Sequence, residues 1–381
     1  MSRAETQCEP KCIVSQISLS RPSPRLMKLF CYIVLVGLPL ASASVGDRLP
    51  EFQLCFEDCD AVTCLSLTPS SKYAENSINA ISKVLFWWDC QLDCNYKCQQ
   101  QVTNIRQNAG LAAVQFYGKW PFRRVFGVTE FFSTIFSMAN FYVNYANYPK
   151  IARHYKASQK ANPEKATMLF QYVLLLLVSM IGWTCSTIFH IRDFPMTETL
   201  DYVGASAISV ANFNAVFVRY FGLFRSEKRR VRILFQTILA LILTGHFFKL
   251  YSDWDYTYNM RFNVFFGITA VVLWILHSLN VNKIYREKLH IYSNSIYLLP
   301  HETRILAKLN HIGLSRSKYI PLLPVALNLF LLSAVVLEMI DFEPLFMLID
   351  AHSLWHLCTM FPPIIWYDWN VWDMELAEKA A

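Results

Sequence analysis

Charged side chains are scarce in this sequence: Asp, Glu, Lys and Arg make up 17% of the 381 residues, against 54% hydrophobic. A soluble globular chain usually carries about 25% charged residues, so the shortfall argues against a water-soluble protein. Other features are missing too. There is no Gly-rich phosphate-binding loop, no G-x-S-x-G elbow and no N-x-[ST] sequon. Their absence argues against ATP use, a serine-hydrolase mechanism and N-glycosylation. The formal net charge is +7, yet the basic residues fall in short loops between apolar stretches and form no single patch, which argues against nucleic-acid binding.

What the chain has instead is apolar segments of spanning length. They fall near 126–147, 167–190, 201–222, 231–250, 260–281, 319–340 and 344–365, each close to the ~20 residues a helix needs to cross the hydrocarbon. Ahead of them, Met27 to Arg48 has Lys28, an apolar core from Leu29 to Leu40 and the small-residue series Ala41-Ser42-Ala43, the form of a secretory signal. The expected fold is an all-α membrane protein: a seven-transmembrane helix bundle with a small N-terminal cysteine-rich lumenal domain. Residues 1–43 read as leader and signal peptide, 44–118 as the cysteine-rich segment, 119–365 as the bundle and 366–381 as a cytosolic tail.

Cys55, Cys59 and Cys64 in "CFEDCDAVTC" and Cys90, Cys94 and Cys98 in "WWDCQLDCNYKC" form two triplets behind the signal. An even set in an oxidising compartment predicts disulfides rather than zinc. The second triplet lies on one helix face, so its members pair more readily with the first triplet than with each other. Loops 148–166, 223–232 and 282–318 are rich in Lys and Arg, whereas the alternate loops are poor in them. Cytosolic loops carry the positive charge, so this asymmetry puts the cysteine segment in the lumen, as the signal does.

That orientation brings two polar pairs to the lumenal side. Ser186 and His190 in "STIFH" are four residues apart, as are His352 and His356 in "HSLWH", so each pair shares a helix face. Three imidazoles from two helices with room for a water is the ligand set of a catalytic zinc site. Asp201 stands at matching depth, where an ionisable group is costly and usually functional or paired. His246 and His277 have no partner at helical spacing and read as structural. Cys185 and Cys358 adjoin the cluster, where a thiol more commonly packs against a neighbouring helix than binds metal.

The order Ser-x3-His, an Asp eleven residues on, then His-x3-His resembles the CREST superfamily of seven-helix membrane hydrolases. Within it, "GKWPFRR", "WTCSTIFHIRD", "DYVGASA", "DYTYN" and "LEMIDFEPLFMLIDAHSLWH", together with the cysteine triplets, resemble the PER-like family over residues 50 to 365. Glu343 stands where that family usually has a second proline. The resemblance implies an enzyme of the Golgi membrane, or alternatively of the endoplasmic reticulum. It would remove the sn-2 acyl chain from the phosphatidylinositol of GPI-anchored proteins, a phospholipase A2-type reaction. It also implies Zn2+ on His190, His352 and His356, accompanied by Ser186 and Asp201. Asp201 then either takes the water's proton or orients a ligand, and Ser186 hydrogen-bonds the oxyanion. Two other readings of the same residues are a receptor or lipid-binding protein with a structural zinc, and a metal or proton transporter. The transporter needs a polar path to the cytosol, and His277 is the one obvious ionisable residue on it.

The loop asymmetry makes a direct prediction. Tags inserted after Lys160 or after Arg230 will be cytosolic, and the cysteine segment of sealed microsomes will resist added protease; its digestion in intact vesicles would reverse the orientation.

Overall fold

The computed structural model describes residues 44–65, 86–289, 299–314 and 316–380. The signal expected at 1–43 lies outside them. Among the described residues there is no β-strand, only the isolated bridges Phe116 to Lys119, Val125 to Val128 and Leu345 to Ile349. The helices in chain order are α1 (Pro50–Cys59), α2 (Cys90–Asn108), α3 (Phe131–Ala161), α4 (Pro163–Ile191), α5 (Pro195–Tyr220), α6 (Arg229–Ser252), α7 (Tyr256–Leu289), α8 (Pro300–Asn310), α9 (Leu323–Ile340), α10 (Ala351–Thr359) and α11 (Pro362–Ala380).

Three bridges hold α1 and the turn after it against α2: Cys55–Cys98, Cys59–Cys94 and Cys64–Cys90. They form an antiparallel ladder, each triplet paired wholly with the other. The spacings differ, four then five on one side and four then four on the other. The extra residue is absorbed by a π turn at Asp60–Cys64, whose wider winding keeps Cys64 on the same face as Cys55 and Cys59. Phe52, Val102 and Phe116 fill the small core around the sulfurs.

Among the described residues, four helical segments are long and apolar enough to cross a membrane: Pro163–Ile191, Ser226–Ser252, Tyr256–Glu287 and Ser317–Ile340. The other three expected spans fall mainly on helix but are more polar. In α3 the residues turned inward are Ser133, Thr134, Ser137, Asn140, Asn144 and Asn147. In α5 the run is interrupted by Asp201 and Arg219. The range 344–365 is not one helix: the chain leaves α9 at Asp341 in the left-handed conformation (φ 41°), makes a turn, and only then enters α10.

The segment expected as a tail from 366 onward is the buried half of α11. Trp369, Val371 and Trp372 are at most 1% exposed and belong to the main core, where Trp369 meets Trp274 edge-on. Its acids, which make the sequence look like a solvated end, each meet a cation on another helix. Asp373 takes two bonds from Arg219 at 2.6 and 2.9 Å and a third contact from His277 at 3.0 Å. Asp368 binds Lys150 and Lys308, both at 2.6 Å. His277 is thus a partner of α11. His246 is held by Ser206 on Nε2 at 3.0 Å and by stacking on Phe262.

Two outcomes follow. Non-reducing peptide mapping will recover the three ladder pairs, and replacing one cysteine by Ser will cost about 2–5 kcal/mol and add one alkylatable thiol to those of Cys185 and Cys358; a different pairing would remove the ladder. Asp373→Asn leaves a buried guanidinium without its counter-charge and will destabilise the bundle by about 3–5 kcal/mol, read as a lowered unfolding temperature in detergent.

Candidate functional site

Ser186 and His190 occupy the last two turns of α4, and α5 starts a few residues later and returns along it. The two helices touch backbone to backbone. A Cβ on Gly204 would lie 3.0 Å from the Cα of Gly182, and one on Gly182 would lie 2.7 Å from Ile208. Only glycine permits this approach. It sits one turn from Ser186 on one helix and one turn from Asp201 on the other, and so brings those two side chains face to face. Asp201 is half-buried and interacts with Ser186, His190 and His352.

His352 and His356 come from α10, a short helix started by a capping box in which Asp350 accepts from the amide of Ser353 at 2.8 Å and its own amide donates to the Ser353 hydroxyl at 3.0 Å. The three histidine rings meet with centroids 4.5 to 5.3 Å apart. One nitrogen from each lies within 4.8 Å of the others. The expected residues are therefore all brought together. Cys185 and Cys358 are free, half-buried and outside this group.

Each ring is held from its far side by a residue that sequence reading did not single out. Nδ1 of His190 binds Glu130 at 2.8 Å, that of His352 binds Glu338 at 2.9 Å, and that of His356 binds Ser137 at 2.8 Å. Ser137 also reaches Ser186 at 3.2 Å. A carboxylate only accepts, so His190 and His352 carry a proton on Nδ1 and, as neutral rings, turn the Nε2 lone pair inward. Among the described residues Nε2 of His190 is buried with no hydrogen-bond partner, and those of His352 and His356 are 2.9 Å apart, sharing a hydrogen bond. Inward ring nitrogens packed this closely, each ring backed by an oxygen, fit a divalent ion that accepts imidazole. The available signal was an acid at the end of an apolar run: Glu130 opens α3 and Glu338 closes α9.

Lys119 caps this arrangement, 2.6 Å from Asp193 and 3.9 Å from Glu130. Burial works against its charge, but the two carboxylates outweigh that and hold its ammonium above the ordinary lysine range. The turn between α9 and α10 is tied to the cysteine-bridged unit. Asp341 accepts from Trp120 at 2.8 Å and Gln115 at 2.7 Å, and the backbone of Arg123 donates to Met347 at 2.8 Å. Glu343, the departure from the family's usual proline, accepts from Gln107 at 3.2 Å.

Comparison with known proteins bears on this site. The chain is 34% identical over 357 residues to Protein PER1 of Saccharomyces cerevisiae, covering 89% of this chain and 95% of that one. It is 30% identical over 329 residues to the GPI-specific phospholipase A2-like PGAP3 of Mus musculus, with 86% and 88% covered. To post-GPI attachment to proteins factor 3 of Drosophila melanogaster it is 26% identical over 351 residues, with 89% and 93% covered. No solved structure matches. The profile of the Per1-like family matches residues 80–374, a range that takes in α2, all three histidines, Ser186, Asp201 and the acids behind them. By that match and by its similarity to the yeast protein, the chain belongs to the Per1-like family.

Proposed function

We propose that this protein is a zinc-dependent ester hydrolase of a secretory-pathway membrane, which removes the sn-2 acyl chain from the phosphatidylinositol of GPI-anchored proteins. The observation that carries the reading is the convergence of three inward-facing imidazoles beside a carboxylate and a hydroxyl, in a chain whose relatives are named as acting on GPI. The orientation proposed is the one the basic loops suggest, with the histidines toward the lumen and seven helical passes, three of them the more polar ranges.

His190, His352 and His356 would hold the ion, which when bound supplies a Lewis acid and lowers the pKa of a water at the open position toward about 7. Glu130, Glu338 and Ser137 keep the rings turned inward by their bonds to Nδ1. Asp201 takes the proton of the attacking water as it adds to the ester carbonyl, and later returns it to the departing glycerol oxygen. Ser186, which Ser137 orients, donates to the carbonyl oxygen as negative charge builds on it. The products are a free fatty acid and a lyso lipid still attached to the protein anchor.

Each of His190→Ala, His352→Ala and His356→Ala will lower bound zinc, measured by elemental analysis of purified protein. Each will also lower deacylation of a GPI-anchored reporter in cells that lack the native protein. Asp201→Asn will keep most of the zinc and lower turnover by roughly 10²–10⁴-fold. Ser186→Ala will cost less than loss of a ligand. Zinc retained and remodelling restored by all three histidine variants would sink the reading. Zinc lost with remodelling intact would make the ion structural and favour a receptor or lipid-binding protein.

A further inference from the structure

Next to the histidine cluster lies a second feature that the hydrolytic chemistry does not use. A cavity of about 210 Å³ sits between α2 and the start of α3, lined among others by Trp88, Tyr96, Lys119, Arg124, Glu130 and Arg192. The guanidinium carbons of Arg124 and Arg192 lie 3.4 and 3.7 Å from the centroid of the Trp88 ring, so both cations stack on one indole. Tyr96 and Phe194 back them at 3.9 and 4.0 Å. Both arginines are more than nine-tenths buried.

Two like charges collected on one buried ring need an explanation, because the acids nearest them are shared with other groups. Asp93 lies 3.8 Å from Arg124 but is nearer Lys97, at 3.1 Å. Asp193 is taken by Lys119, and Glu130 by His190. Arg192 gives Nε to the carbonyl of Phe86 and Nη1 to that of Asp193. That leaves Nε and Nη1 of Arg124 and Nη2 of Arg192 buried with no hydrogen-bond acceptor among the described residues. Burial, reinforced by the charge of Arg192, pulls the Arg124 guanidinium down to about 9. Unused N–H groups of two forked guanidiniums are the donor set that binds the oxygens of a phosphate.

We infer that this cavity is the subsite for the phosphate diester of a phosphorylated polyol, the head of an inositol phospholipid, with Arg124 and Arg192 on the phosphate oxygens and Trp88 and its aromatic neighbours beside the polyol ring. The identification as a lipid head rests on the hydrolase reading above. In a phospholipid only the glycerol separates the phosphate from the sn-2 ester, so a site for one must adjoin a site for the other. Here they share a wall, since Glu130 lines the cavity and binds His190.

The test is direct binding of soluble probes to the full chain in detergent, with zinc content followed in parallel. Myo-inositol 1-phosphate will bind, neutral myo-inositol will not, and inorganic phosphate will compete only weakly. Arg124→Gln and Arg192→Gln will each weaken binding by at least roughly tenfold without loss of zinc, as expected for a charged hydrogen bond. Arg→Lys at either position will restore part of it. A photoreactive inositol phosphate will label the unsubstituted protein within residues 86–124 or at Arg192, which keeps the test valid if the arginine variants misfold. Labelling elsewhere, or binding unchanged in correctly folded variants, would overturn the subsite. Equal competition by inorganic phosphate would make it a free-anion site. His190→Ala separates the two proposals: it will lose deacylation but keep the probe, so failure of the hydrolase reading leaves the binding result standing.

Discussion

Two buried imidazoles and a half-buried third depend on helices other than their own. His190 of α4 leans on Glu130 and His356 of α10 on Ser137, both from α3, while His352 is held by Glu338 of α9. An imidazole buried without such a partner would carry an unmet polar atom and a free choice of tautomer. With it, the ring has one orientation, and the helices that supply the partners have one relative placement. The glycine contact seats α4 on α5 and sets Ser186 facing Asp201, and Ser137 of α3 reaches the same Ser186.

The same helices carry a second polar layer at their other ends. Asp201 and Arg219 lie 18 residues apart on α5, about 27 Å along a helix. Arg219 there meets Asp373, His277 and the aromatic core of α11. Every charge in this layer has its opposite on another helix, and its product is a fixed arrangement. The histidine layer differs in kind. Among the described residues it leaves Nε2 of His190 without a partner, beside a cavity where guanidinium N–H groups of Arg124 and Arg192 are also without one.

How much of this was legible in the sequence follows from the range of the interactions. The four-residue spacings of "STIFH" and "HSLWH" are local, and they told which side chains share a face before any neighbour was known. The two cysteine triplets pointed to bridges between them for the same reason, but the ladder pairing and the π turn that keeps Cys64 in line were not legible from spacing. Glu130 and Glu338 were not legible as histidine partners, since nothing within a few residues of either points to a ring on another helix. The burial of the last helix is hidden by the converse effect, since sequence shows the polarity of Asp368 and Asp373 and hides the lysines and arginine that face them from other helices. The inward side of α3 is an asparagine ladder rather than leucine, so the expected span 126–147 is not among the four apolar ones.

The turn from Asp341 to Asp350 hangs from the cysteine-bridged unit through Trp120, Gln115 and Arg123, and α10 begins directly after it. The helix that presents His352 and His356 is therefore registered against a scaffold whose shape is set by three sulfur pairs. Such pairs close only where thiols are oxidised. With those pairs open, α10 would lose one of its supports and keep the others, its packing against α3 and α9, so the oxidation of one end of the chain bears on how the other end is placed.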